Sequence, residues 1–267
     1  MKLLLWLLGI AGALYVLVCL MLYFQQEHLL FFPTRLPADY RFRFPGRWQE
    51  RWITAPDGVK LNGLLFRAEG PRRGLVFYLH GNGGALDGWG DVAPLYTALG
   101  YDVFLLDYRG YGKSPGRIGS EAQLKADVEA AYRQLTADYP EQQTVVLGYS
   151  LGTGLAAWLA ARHQPRLLVL QAPYYSMQDM ARSHYPWVPG FLVRYPLRTY
   201  EVLPRVQAPV LLFHGTADEV IYPASSAKLR ALLPASARLV ELPGAGHNGM
   251  TDNPQYQRTI RAVLGAD

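Results

Sequence analysis

Short apolar runs punctuate most of this chain. Residues 74–81 (GLVFYLHG), 101–108 (YDVFLLDY), 144–150 (TVVLGYS), 166–172 (RLLVLQA), 209–215 (PVLLFHG) and 237–244 (ARLVELPG) are nearly continuous in aliphatic and aromatic side chains and are set off by Gly and Pro. A run without polar alternation suits a strand covered on both faces, as in a parallel sheet. Between the runs, residues 87–99, 120–138, 151–163, 223–233 and 254–264 read as helices. Two further β-rich runs at 50–54 and 60–67, parted by the turn APDG, form the N-terminal edge of the same sheet. Strand–helix alternation of this length predicts a doubly wound α/β sandwich.

Three segments depart from that rhythm. Residues 3–24 form 22 consecutive uncharged, mostly apolar positions, beyond the ~18 that mark a membrane-spanning helix. The run is longer than the apolar core of a signal peptide, and the bulky stretch LMLYFQQEH after it lacks a small-residue cleavage site, so an uncleaved N-terminal anchor over 1–25 is expected. Residues 26–49 read as a connector, broken by Pro33, Pro37 and Pro45. Residues 173–206, rich in Tyr, Trp and Pro, are too interrupted for one crossover helix and read as a small cap within a catalytic domain spanning 50–267. Ligands of open α/β sheets bind beyond the carboxyl ends of the strands, where such an insertion sits.

Charge adds one asymmetry to this layout. Residues 1–75 carry ten Lys and Arg against five Asp and Glu, whereas 76–267 carry sixteen of each sign. The whole net charge of +5 therefore belongs to the membrane-proximal part, where Arg35, Arg41, Arg43, Arg47 and Arg51 are placed to face anionic headgroups or plain solvent. Lys2 before the apolar run and the arginines after it leave the side of the membrane open, because whole domains translocate regardless of such charge. The single cysteine, Cys19, lies inside the apolar run, which excludes a disulfide framework and a cysteine metal site. No His-x-x-x-His spacing falls on an expected helix, so neither metal nor cofactor is expected.

Two serines stand in a Gly-x-Ser-x-Gly frame: Ser150 in GYSLG and Ser114 in GKSPG. A nucleophile elbow needs a strand running in, a helix running out and small residues flanking the strained turn. Ser150 has the strand TVVLG before it, Gly148 and Gly152 beside it and the helical LGTGLAAWLA after it. Ser114 is followed by Pro115, which has no N–H to offer, and by more turn residues. Ser150 is therefore the expected nucleophile.

Its partners should follow in the order Ser, acid, His, each just past a later strand. Asp218 in HGTADEV meets the first requirement, with Glu219 as a weaker rival, and His247 in GAGHNG meets the second. His80 and His214 end strands and read as structural; His28, His163 and His184 lie away from any such loop. The N–H of Leu151, at the start of the helix, is the first expected oxyanion donor. The second is the N–H of Asn82 in YLHGNGG, or alternatively of Gly83. A phosphate-binding loop is disfavoured there, since neither Gly-x-Gly-x-x-Gly nor a Gly-Lys-Ser/Thr ending is present. Tyr174, Trp187 and Phe191, with Tyr175, Tyr185 and Tyr195, are candidates for an apolar acyl pocket beneath the cap, ordinary packing being the competing reading for each.

With HGNGG, DYRGYGKSPG, GYSLG, HGTADEV and GAGH in this order, residues 50–265 resemble the α/β-hydrolase superfamily. The N-terminal anchor followed by LLFFPTR looks like the membrane-anchored serine hydrolases of the α/β-hydrolase-domain type. The resemblance implies a mostly parallel sheet with an antiparallel N-terminal strand, and structural roles for Asp107, Arg109 and Gly110. It implies esterase chemistry through an acyl-serine, with an acyl-protein thioesterase or a serine peptidase as alternatives on the same triad, and a non-catalytic binding protein as a remoter one. The expected partners are a small-molecule or lipid-like ester and the bilayer; no nucleic acid is expected, and the oligomeric state is left open.

Overall fold

The computed structural model describes residues 1–265; the last two positions of the expected 50–267 domain lie outside the described residues. Helix α1 (Lys2–Phe24) is long and apolar enough to cross a membrane, with only 6% of its most apolar stretch covered by the rest of the chain. A short helix α2 (Gln26–Leu30) follows directly, where the sequence pattern suggested only an irregular connector. Pro33 terminates it by disfavouring helical backbone at the preceding residue.

Eight strands form the central sheet: β1 (Trp48–Thr54), β2 (Lys60–Phe66), β3 (Gly74–Leu79), β4 (Tyr101–Leu106), β5 (Thr144–Tyr149), β6 (Leu167–Gln171), β7 (Val210–Gly215) and β8 (Arg238–Leu242). Their spatial order is β1-β2-β4-β3-β5-β6-β7-β8. Only the β1–β2 and β2–β4 pairings are antiparallel, so β2 is the strand that runs against the rest. Strands β3 to β7 are buried along their whole length, which is why they read as continuous apolar runs. The edge strands β1 and β8 keep polar, partly exposed positions.

The pleat of each strand feeds two cores. From β3, Leu75, Phe77 and Leu79 pack on one face with Phe104, Tyr132 and Leu155, under helices α3 (Glu121–Thr136) and α4 (Leu151–Ala160). Val76 and Tyr78 point the other way, toward Tyr96, Phe213 and Tyr256; the last lies on the C-terminal helix Pro254–Gly265. The run expected as one helix at 87–99 is three short helical pieces over 86–97, two α-helical turns parted by a 3₁₀ turn that opens at Gly90.

Arg109, in the loop after β4, holds three segments together. Its guanidinium donates to Asp127 of α3 at 2.6 and 2.8 Å and to Asp57 of the β1–β2 turn at 2.7 Å. Arg109 and Asp127 are both buried. Arg109→Met keeps the volume of the side chain but strands the Asp127 carboxylate without its cation. A stability loss of about 3–5 kcal/mol is expected, read as a lowered thermal midpoint of the full chain in detergent; an unchanged midpoint would remove Arg109 from the fold's support.

Candidate active site

The sheet delivers Ser150 on a turn with no slack. β5 ends at Tyr149, α4 begins at Leu151, and Ser150 between them has φ 50° and ψ −117°, a left-handed backbone rare for a side-chain-bearing residue. The turn is held from both sides: Ser150 N–H donates to Gln171 O on β6 at 2.9 Å, and Thr153 donates to Ser150 O through its N–H and its hydroxyl. Glycine is required beside it because a Cβ on Gly152 would stand 2.0 Å from Leu79 O, and one on Gly148 would stand 2.4 Å from Gly152 O.

Two loops at the carboxyl ends of β7 and β8 bring the expected partners to this turn. His247 Nε2 lies 3.0 Å from Ser150 Oγ, and His247 Nδ1 lies 2.8 Å from Asp218 Oδ2. The other Asp218 oxygen accepts from the N–H groups of Val220 and Ile221, each at 2.9 Å. The rival Glu219 is exposed and points to solvent. Ser114 is buried in the alternative frame, where its Oγ donates to Asp107 O and accepts from Asn62 N–H. It pins a loop to β2 and has no base beside it.

His214 was read from the sequence as a strand-ending structural histidine, and the structure places it behind the acid. Its Nε2 faces Asp218 Oδ2 at 3.2 Å and Ile221 O at 2.8 Å, while its Nδ1 meets Ser226 Oγ at 2.5 Å. Two acceptors at Nε2 require a proton there. Burial works to raise the Asp218 pKa, but hydrogen bonds from His214, His247 and the Ile221 N–H outweigh it and hold the carboxyl well below its ordinary range. The spacing of four residues between His214 and Asp218 was the available signal, and it has no meaning until the loop folds back.

Near Ser150, the expected oxyanion donors sit on one helix start and one supported loop. Among the described residues the N–H groups of Leu151 and Asn82 have no protein acceptor. The Asn82 carbonyl is held by Phe32 N–H at 2.8 Å and Tyr111 hydroxyl at 2.7 Å. Gly83 and Gly84 pair in parallel with Phe32 and Pro33, and Trp89 Nε1 donates to Gly83 O. Thus the expected connector contributes a short strand that braces the loop. Beneath that loop His80 and Asp107 face each other at 3.7 Å; burial lowers the His80 pKa to about 4 and pushes that of Asp107 well up, disfavouring charge on both side chains.

The three expected pocket residues are not brought together. Tyr174 is fully buried and donates its hydroxyl to Leu151 O at 3.0 Å, so it anchors the first turn of α4. Trp187 and Phe191 are 50% and 82% exposed on the outside of the cap. Tyr174 and Tyr195 have joined the sheet core instead.

Residues 70–199 match the family described as Serine aminopeptidase, S33. Alpha/beta hydrolase domain-containing protein 17C of Xenopus tropicalis is 30% identical, the match covering 80% of this chain and 68% of that protein. The chain belongs to the α/β-hydrolase superfamily. Within it, the uncharacterized protein Rv2307c of Mycobacterium tuberculosis is 33% identical over 93% of this chain and 92% of its own length. Protein bem46 of Schizosaccharomyces pombe is 29% identical over 96% and 91%. Among solved α/β hydrolases, a Pyrococcus furiosus esterase superposes with a TM-score of 0.71 at 18% identity, covering 88% of this chain and 96% of that one. An α/β serine hydrolase without lid from Xanthomonas campestris superposes with a TM-score of 0.64 at 20% identity, covering 85% and 100%. The family and the fold make this chain a hydrolase of esterase-like architecture.

Proposed function

We propose that this chain is a membrane-anchored serine hydrolase that cleaves carboxylic, acyl-type esters through an acyl-enzyme on Ser150. The observation that carries the reading is the continuous relay from Ser150 Oγ through His247 to Asp218, at 3.0 and 2.8 Å. His247 Nε2 takes the hydroxyl proton as Oγ attacks the ester carbon. The electron pair released from the carbonyl bond comes to rest on oxygen, facing the Leu151 and Asn82 N–H groups. Collapse expels the alcohol, which takes the proton from His247; water then repeats the sequence and frees the acid. Asp218 keeps the imidazole in the tautomer with its proton on Nδ1. In this reading residues 1–25 anchor the chain, 26–49 connect it, and 50–267, with the cap at 173–206, form the catalytic domain.

Cleavage of an amide is the second reading, favoured by the match to a family described as an aminopeptidase. The full chain in detergent, assayed on esters, thioesters and amides of graded acyl length, separates the two. Higher kcat/KM on esters supports the proposal, and higher kcat/KM on amides or thioesters replaces it.

The connector enters the chemistry through the Asn82 carbonyl. Phe32→Pro deletes the N–H that holds it, whereas Phe32→Ala keeps that N–H. A displacement of the donor by about 1 Å is enough to lower kcat by about 10- to 100-fold, so Phe32→Pro should lose that much with KM little changed. Equal kcat for the two variants would detach the connector from the site.

A further inference from the structure

Helix α1 does not stand clear of the folded domain. Tyr15 donates its hydroxyl to Trp187 O at 2.9 Å, although it lies nine residues before Phe24, the last residue of the helix. At 1.5 Å per residue this contact is about 14 Å along the axis from the end of α1. The tip of the cap is therefore level with the middle of the apolar run. It is fastened there: Gln26 Nε2 donates to Leu192 O at 2.6 Å, Arg194 N–H donates to Gln26 Oε1 at 2.8 Å, and the Arg194 guanidinium pairs with Glu27 at 2.9 Å. Tyr195 hydroxyl also donates to Glu27, at 2.7 Å.

This geometry couples the depth of the tip to the depth of the helix. The apolar run of 22 residues is about 33 Å long, which matches a hydrocarbon core of about 30 Å. Were the tip held in water, only the residues before Tyr15 would remain to span, a length of roughly 20 Å and too short. A spanning α1 therefore carries the tip into the bilayer.

The composition of the tip suits that position. Residues 185–193 (YPWVPGFLV) hold no charged side chain, and Tyr185, Trp187 and Phe191 are 57%, 50% and 82% exposed. Arg182 and Arg194 flank the segment where anionic headgroups would lie. Irregular backbone at membrane depth needs its polar groups satisfied within the protein or at the interface, and part of this segment is satisfied internally, with the N–H groups of Trp187, Gly190 and Phe191 left for the interfacial region. Here Pro186 and Pro189 have no N–H. Val188, Leu192 and Val193 donate back to Tyr185, Pro189 and Gly190, while Tyr15, Gln178 and Gln26 donate to the carbonyls of Trp187, Gly190 and Leu192.

We propose that residues 185–193 of the cap insert into the same bilayer leaflet as the adjoining half of α1, with Trp187 and Phe191 in contact with lipid. The inference rests on the reading of α1 as an anchor. It makes the protein's membrane contact two-part, a spanning helix and an inserted loop, and fixes the rotation of the catalytic domain about the helix.

The test uses the full chain carrying Cys19→Ala, reconstituted into vesicles of phosphatidylcholine and phosphatidylglycerol, with one nitroxide label introduced through Phe191→Cys, Trp187→Cys, Leu14→Cys or Arg133→Cys. Retained fluorophosphonate labelling selects variants that are folded. Labels at 191 and 187 should lose collisions with a water-soluble nickel reagent to the level of position 14 while colliding freely with oxygen. Nickel accessibility at 191 and 187 equal to that at 133, with position 14 protected, overturns the insertion and leaves the anchor standing. Nickel accessibility at position 14 itself overturns both. Protection of 191 from nickel and oxygen alike places a second copy of the chain on the tip and also overturns lipid contact.

Discussion

Ser150→Ala is expected to lower kcat on an acyl ester by about six orders of magnitude and to abolish labelling by a fluorophosphonate, with the thermal midpoint of the chain little changed. The size follows from the arrangement of the site. Without Oγ, His247 has no nucleophile to activate at 3.0 Å, so the relay to Asp218 has nothing to act on. Removal of one member of a unit that acts together loses nearly as much as removal of all. On the proposed mechanism, what remains is binding and the oxyanion contribution assigned to the Leu151 and Asn82 N–H groups, expected at about 10³- to 10⁴-fold over water. Ser114→Ala is the matched contrast. Its hydroxyl bridges Asn62 N–H and Asp107 O in a buried loop, so the variant should lose about 1–3 kcal/mol of stability and keep its turnover per folded molecule. Turnover and labelling that survive Ser150→Ala but vanish in Ser114→Ala would reverse the assignment.

Asp218→Asn is expected to lower kcat by about 10⁴-fold with KM little changed. An amide at this position can offer an N–H toward His247 Nδ1, which favours the tautomer with its proton on Nε2 and takes away the base that faces Ser150. The native carboxylate is kept ionised by His214, His247 and the Ile221 N–H against the effect of burial. Because its folded pKa is lowered, its contribution to stability is present above the unfolded carboxylate value of about 4 and is lost as pH falls through the lower folded value. The stability gap between the native chain and Asp218→Asn should therefore be full at pH 7 and shrink below about pH 4. Thermal unfolding at both pH values reads it, and a gap that widens in acid would contradict the ionised state. His214→Phe should weaken this support without touching the Ser150–His247 contact, lowering kcat less than Asp218→Asn does.

Local chemistry was legible because it leaves its mark on consecutive residues. Burial of β3 to β7 on both faces writes itself as unbroken apolar runs, whereas β8, whose sequence reads as one more covered run, is a partly exposed edge strand because nothing among the described residues pairs with its outer side. The difference between Ser150 and Ser114 lies in the residue that follows each one, Leu151 against Pro115, and needs no tertiary information. The order Ser150, Asp218, His247 is likewise a property of the chain, and the loops that carry these residues do converge.

Contacts between distant segments had no such mark. Tyr174 and Trp187 are both aromatic cap residues in sequence, yet one lies under α4 with its hydroxyl on Leu151 O and the other stands outside against Tyr15. His214 and His80 look alike as strand-ending histidines, and only the fold-back of the loop after β7 turns the first toward Asp218. Periodicity tells a segment whether it is covered; it carries no record of which partner covers it. The sequence by itself therefore determined the α/β alternation, the elbow at Ser150 and the apolar run of α1. Tertiary structure alone decided that the connector braces Asn82, that His214 backs the acid and that the cap lies along the helix. Each of these depends on register between segments at least 50 residues apart, or on a turn whose direction is set by what it packs against.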